Sequence, residues 1–235
     1  NGLFSRIHEL LDRERRFTAD AAHELRTPLS VLRAQWDVVR RSGSEDRAVA
    51  EAKFEAGLER MDRLVTQLLA LSRAEAVAPS LLTEEIDWAP IIEQVMTDCL
   101  PLARRRNIEL ACDWPADGRP AFPLLGAADL LTILLRNLVD NAARYSPQGS
   151  TVTVRLETDG IDVENEGEPI GDALTAPGNR FSRPAGQAES GSGLGLSIVQ
   201  RIAQLHRIEL HFGAGEGGRG VRACLRYAPP TVSGS

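Results

Sequence analysis

The stretch FTADAAHELRTPLS, Phe17 to Ser30, decides how this 235-residue chain is read. Around it the apolar positions run Phe4, Ile7, Leu11, Phe17, Ala21, Leu25, Leu32, Trp36 and Val39, steps that are mostly three and four. That period predicts one long amphipathic helix with a single apolar stripe. At about 100° per residue, His23 points roughly 160° from the centre of the stripe, which puts it on the solvent side. Thr27 lies one turn on and Glu24 flanks the same edge, so the three form a small polar cluster. HELRT lacks the second histidine of the zinc motif HExxH, which removes that chemistry. Pro28 deletes a helix hydrogen bond and clashes one turn back, near Glu24, at a cost of about 3 kcal/mol. A bend beside the histidine is expected.

Gly43, inside RRSGSED, breaks the helix. A second pattern follows at Phe54, Leu58, Met61, Val65, Leu68 and Leu71. The two predict an antiparallel helical hairpin. Alone, such a pair leaves its stripes half exposed, so pairing with a second copy into a four-helix bundle is expected, and with it a homodimer. AVAPSLLTEE loses the heptad and carries Pro79, marking a linker. Helix-period and strand-period segments then mix: helices from about Trp88, Ala127 and Leu194, and strands IELACDW, TVTVRLET, IDVENEG, IELHFG and GVRACLRYA. This order predicts an α/β sandwich with a mixed sheet. The expected organisation is a helical hairpin at 1–76, a linker at 77–85, an α/β domain at 86–228 and a flexible tail at 229–235.

Composition bounds the partners. A formal net charge of -6 gives no basic footprint, so nucleic acid is not expected. Three cysteines without metal-ligand spacing suit free thiols in a reducing, cytoplasmic compartment. The longest aliphatic runs, such as LLTILL, fall far short of the roughly 20 residues that span a bilayer. The sequence opens in mid-helix, so the chain reads as a piece of something longer, with any membrane attachment upstream.

Two further clusters carry chemistry. In LLRNLVDNAARYSP, Asn137 and Asn141 stand at i and i+4 with Arg144 on the same side. Stacked amide oxygens suit a hard cation such as magnesium, which fills its remaining shell with water and substrate phosphates. In ESGSGLGLSIVQ, Gly191, Gly193 and Gly195 open into a helix whose N-terminal amides can receive phosphate oxygens.

Taken together, these strings resemble the sensor histidine kinases. FTADAAHELRTPLS resembles their H-box, in which the histidine is the phosphoacceptor. The resemblance implies that His23 is phosphorylated, that Glu24 takes the proton from its other ring nitrogen, and that Thr27 positions a water for removing phosphate from a response regulator. LLRNLVDNAARYSP resembles the N-box. By that match Asn141 binds Mg2+ with help from Asn137, Arg144 touches phosphate and Tyr145 lies near ATP. ESGSGLGLSIVQ resembles the second glycine box, implying nucleotide contacts at Gly191, Gly193, Leu194, Gly195 and Leu196. RFSR, with Arg180, Phe181 and Arg183, resembles the F-box of the ATP lid.

The departure is VENEGEPI, where the family pattern is D-x-G-x-G. Asn165 takes the place of the aspartate that accepts from the adenine amino group, Gly167 is kept, and Pro169 replaces the second glycine. An amide oxygen still accepts, through a neutral bond weaker by about 1 kcal/mol. The resemblance implies an ATP-dependent protein histidine kinase, the cytoplasmic part of an inner-membrane sensor. Such a protein passes phosphate to an aspartate of a response regulator and also removes it. The alternatives are an ATP-hydrolysing relative or a non-catalytic dimeric signalling module. The first uses a glutamate base where this chain has Asn137, an amide that takes no proton. Only the VENEGEPI departure speaks for the second.

Overall fold

The computed structural model describes residues 25–77, 82–115, 119–167 and 194–227. The chain divides into two compact units between Leu69 and Ala70.

α1 covers residues 25–41 and α2 covers Ser44–Ala76, separated by a break at 42–43; α1 and the part of α2 up to Leu69 belong to the first unit. Both the backbone N–H and the hydroxyl of Ser42 donate to the Val38 carbonyl, at 2.9 and 2.8 Å, which closes the end of α1 before Gly43. The Trp36 and Phe54 rings lie 5.4 Å apart. A Cβ on Gly57 would fall 2.8 Å from Leu32 Cδ2 and 2.5 Å from Gln35 Oε1. Contacts that climb α2 from Phe54 to Gly57 thus descend α1 from Trp36 to Leu32, so the hairpin is antiparallel. Leu32, Val39, Ala50, Leu64 and Leu68 are buried between the helices, with Gly57 allowing their close approach. Leu58, Val65 and Leu69 repeat at seven and four residues about a quarter turn round α2 from that seam, and all three are exposed.

The second unit holds β1 (Glu84–Glu85), α3 (Trp88–Arg106), β2 (Glu109–Asp113), β3 (Leu125–Gly126) and α4 (Ala128–Tyr145). They are followed by β4 (Thr151–Leu156), β5 (Gly160–Asn165), α5 (Leu194–Leu205), β6 (Ile208–Ala214) and β7 (Val221–Tyr227). The main sheet has the order β2-β4-β5-β7-β6. Its β2–β4 pair is parallel and the others are antiparallel, so the sheet is mixed as the sequence predicts. Residues 84–85, within the stretch read as linker, pair with 125–126 as a separate two-stranded ribbon.

The period-2 alternation decides the faces. Val152, Val154, Leu156, Ile161, Val163, Ala223 and Leu225 are buried and join α3, α4 and α5 in one core. That core also takes in Ala70 and Ala74 from the end of α2. Arg155, Asp162, Glu164, Arg222 and Arg226 occupy the other face and pair across strands. Arg226 meets Asp162 at 2.6 Å and Arg222 meets Glu164 at 2.9 Å.

Local signals explain the ends of α3. The Asp87 carboxylate accepts from Ala89 N at 3.1 Å as an N-cap, and Asn107 ends the helix in the left-handed region with φ 54. Trp88 starts the helix stacked on Phe122, 5.9 Å between centroids, and donates its indole N–H to the Phe122 carbonyl at 2.8 Å. Tyr227 also meets Phe122, edge-on at 4.7 Å.

Candidate nucleotide site

The leucine-rich side of α4, including Leu130, Leu134, Leu138 and Val139, fills the core, which leaves the polar side chains on its flank. Asn137, Asn141 and Arg144 are all half-buried there. Asn137 donates through Nδ2 to the Ile133 carbonyl at 2.8 Å, which fixes the sense of its amide. Arg144 is held by Asp140 through two bonds, Nε to Oδ2 at 2.8 Å and Nη2 to Oδ1 at 3.2 Å. A bidentate pair one turn apart in the last turn of a helix sets the guanidinium where a cation also meets the helix dipole favourably. Tyr145 closes the helix with its side chain exposed.

Asn165 ends β5 on the core side of the sheet, in phase with Ile161 and Val163, and is 5% exposed. Its Nδ2 donates to the Glu166 carbonyl at 3.0 Å. Among the described residues Oδ1 has no donor. Gly167 follows beside the end of α4: a Cβ there would make ordinary contact, 3.6 Å from Pro147 Cδ and 4.0 Å from the Tyr145 carbonyl. Gly220, with φ +66, donates its N–H to the Gly167 carbonyl at 2.9 Å, and any side chain on it would run into the Asn165 backbone. On the opposite face, the Glu164 carboxylate accepts from Arg222 Nε at 3.0 Å and from the Glu216 N–H, and it also pairs with Arg222 Nη2 at 2.9 Å, which secures the 215–220 turn. The ends of β5 and α4 and the turn before β7 therefore converge, with Asn165, Gly167, Arg144 and Tyr145 at one end of the unit.

Gly195 and Leu196 stand half-buried in the first turn of α5, which packs on α4. Thr27 is exposed on α1. His23, Glu24, Gly191, Gly193, Arg180, Phe181, Arg183 and Pro169 lie outside the described residues, as does the side chain of Leu194.

An acceptor oxygen at Asn165, a positive side chain at Arg144 and side-chain-free backbone at Gly167 fit a nucleotide. Among the described residues no three His, Cys, Asp or Glu side chains come together to hold a metal ion. The amide oxygens of Asn137 and Asn141 are hard donors of the kind that could serve a magnesium ion on this flank.

Three residues escape a reading of motifs. Asp140 carries a local signal, the acid four residues before Arg144. Gly220 carries none, because Asn165 and Gly167, the residues it serves at the site, are more than 50 residues away. His206 likewise acts at a distance: Nε2 accepts the Ala127 N–H at 3.0 Å and Nδ1 donates to the Ile202 carbonyl at 2.8 Å. The start of α4 has no side-chain cap of its own, and this imidazole joins it to the end of α5. Gly126 makes room, since a Cβ there would fall 2.7 Å from the ring. Burial pushes the His206 pKa down, opposed by the Ile202 carbonyl and by Asp129. All three cysteines are free thiols. Burial, then the Asp140 charge, pushes Cys99 up to about 12, so it stays a thiol.

The model of the His Kinase A (phospho-acceptor) domain matches residues 13–77, and that of the Histidine kinase-, DNA gyrase B-, and HSP90-like ATPase matches residues 126–231. The Sensor protein QseC of Salmonella typhi is 45% identical over 224 residues, covering 93% of this chain and 49% of that protein. Sensor protein BasS of Escherichia coli K12 is 36% identical over 234 residues, covering 96% of this chain and 61% of BasS. The chain thus spans about half the length of the QseC relatives. The solved cytoplasmic segment of histidine kinase QseC aligns with a TM-score of 0.51 at 34% identity, over 72% of this chain and 93% of that one. The Acinetobacter baumannii histidine kinase AdeS shares the fold, with a TM-score of 0.59 at 20% identity over 88% of this chain and 98% of AdeS. A phospho-acceptor helical hairpin joined to an ATPase-type sandwich, with a close relative in the QseC cytoplasmic segment, places this chain in the family of sensor histidine kinases.

Proposed function

We propose that the chain phosphorylates itself on His23 with the γ-phosphate of ATP and passes the phosphoryl group to an aspartate of a response regulator. The observation that carries this reading is the convergence of β5 and α4, where Gly167 sits beside the Asn165 amide, Pro147 and the Tyr145 carbonyl. Asn165 would accept from the adenine amino group, Tyr145 would lie along the nucleotide, and Arg144 would meet a phosphate oxygen. The amides at Gly191, Gly193, Leu194, Gly195 and Leu196 would face the phosphates. Asn141, helped by Asn137, would hold magnesium, whose charge offsets that of the triphosphate.

His23 is nucleophilic when neutral, which an imidazole is at physiological pH. One ring nitrogen forms the bond to the γ-phosphorus while the bond to the bridging oxygen breaks and ADP leaves. Glu24 takes the proton from the other nitrogen and so stabilises the product. Thr27, exposed on α1, would orient water for dephosphorylating the regulator. We assign residues 1–76 to dimerisation and phosphotransfer, 77–85 to a linker, 86–228 to ATP binding and 229–235 to a flexible tail. The exposed line of Leu58, Val65 and Leu69 supports a homodimeric four-helix bundle. We assign the chain to the cytoplasmic portion of an inner-membrane sensor, in keeping with its likeness to the cytoplasmic segment of histidine kinase QseC.

The test is incubation with γ-labelled ATP and magnesium. Acid-labile, base-stable label that is absent from His23→Gln supports the reading. Absence of label, or label that survives in that variant, refutes it.

A further inference from the structure

We propose that Asn165 selects adenine over guanine because the main-chain carbonyl of Glu166 fixes its amide in one orientation. This rests on the nucleotide reading above and goes beyond it to the choice of base. An asparagine amide has an acceptor end and a donor end, and a half-turn exchanges them. A carboxylate at this position could only accept. An amide free to turn would serve both purines, accepting from the amino group of adenine or donating to the keto oxygen of guanine. The departure from the family pattern therefore invites a loss of base selectivity.

The geometry removes that freedom. Nδ2 donates to the Glu166 carbonyl at 3.0 Å in a residue only 5% exposed. Turning the amide would lose that bond and set Oδ1 against another oxygen where little water can compensate. The clamp is itself anchored on both sides, because Glu166 N donates to the Thr151 carbonyl at 3.4 Å and the Gly167 carbonyl accepts from Gly220 N at 2.9 Å. Gly220 keeps the space behind Asn165 clear, since a side chain there would strike the Asn165 carbonyl. Only Oδ1 is left for the base.

The same clamp alters what aspartate would do here. One oxygen of a carboxylate would face the Glu166 carbonyl in place of Nδ2, so the charge that strengthens the bond to adenine also meets a repelling neighbour. Restoring the family residue is then expected to bring no gain.

Titration calorimetry on the full chain with ATP, GTP and purine riboside triphosphate, each with magnesium at pH 8, tests this. The third nucleotide lacks any group at the purine 6-position. The wild-type chain is expected to bind ATP about tenfold tighter than the other two. Asn165→Ala should bring all three within about threefold of one another. Asn165→Asp should bind ATP no tighter than wild type. In the wild-type chain, which needs no folded variant, the Asn165 side-chain amide protons should resist hydrogen exchange with and without ATP. The proposal is overturned if wild type binds ATP and GTP alike, if Asn165→Ala keeps the preference, if Asn165→Asp tightens ATP, or if the amide protons exchange freely. A wild-type chain that binds none of the three overturns the nucleotide reading and the proposal with it; binding without discrimination overturns the proposal alone.

Discussion

The two units meet the same demand, burial of apolar surface, in opposite ways. In the sandwich the core is closed: Val95, Leu134, Val139, Ile161, Ile198 and Ile202 are each 0% exposed. In the hairpin Leu32, Val39, Leu64 and Leu68 are buried, but Trp36, Leu58, Val65 and Leu69 remain between 41% and 57% exposed. A closed core answers to its own packing, whereas an open stripe answers to whatever covers it. Changes in the sandwich should therefore be felt in folding and ligand binding, and changes on the hairpin stripe in assembly.

The sharpest separation is expected from Asn141→Ala. It removes the amide proposed to hold magnesium and little core, so labelling of His23 should fall below detection while circular dichroism and self-association stay as in wild type. Retained labelling would place the metal elsewhere. Next in size is Leu134→Ala, which empties a fully buried position under α4 and should cost about 3 kcal/mol in urea unfolding. A cost below about 1 kcal/mol would mean that the core is looser than its burial implies.

Leu58→Asp with Val65→Asp tests the other side. Two charges on the open stripe should shift the chain towards monomer in sedimentation equilibrium and leave ATP affinity unchanged. Loss of nucleotide binding in parallel would break the division between the units. The smallest effect is that of pH on His206. Its folded pKa lies below the usual 6.5, so the unfolded chain takes up the proton first. Stability is unaffected well above pH 6.5 and declines as pH falls through 6.5 towards the lowered folded value. The wild-type melting temperature should drop across that window more than that of His206→Gln.

Periodicity carried most of the fold because it is local. The steps of three and four in LLTILLRNLVDNAARY and the alternation in TVTVRL show the helix and the strand, and α5 runs from Leu194 to Leu205 as the pattern predicts. The β1–β3 ribbon was not legible, since two residues a side carry no period. At the candidate site, Asn137, Asn141, Arg144 and Asn165 stood out because amides and a guanidinium recur at helical or motif spacing. Their second partners did not. The Glu166 carbonyl is backbone and has no letter of its own, Gly220 is one glycine among 20, and His206 reaches its partner at Ala127 across 79 residues. A side chain's type is written in the chain, but the atom that fixes its orientation depends on the fold.

The stacking of Trp88 on Phe122 also gives the molecule separate optical signals. The chain has three tryptophans, at 36, 88 and 114. Trp88 is 4% exposed and bonded through its indole N–H, so its emission should be blue-shifted and should move to the red only when the sandwich unfolds. Trp36 and Trp114 are 48% and 46% exposed and should emit nearer to the solvent limit. Trp36 lies on the hairpin, so a second copy settling over its ring would shift its emission to the blue without changing Trp88. With Trp114 replaced by Phe, a concentration series would then follow assembly at one wavelength edge, and a denaturant series would follow folding at the other.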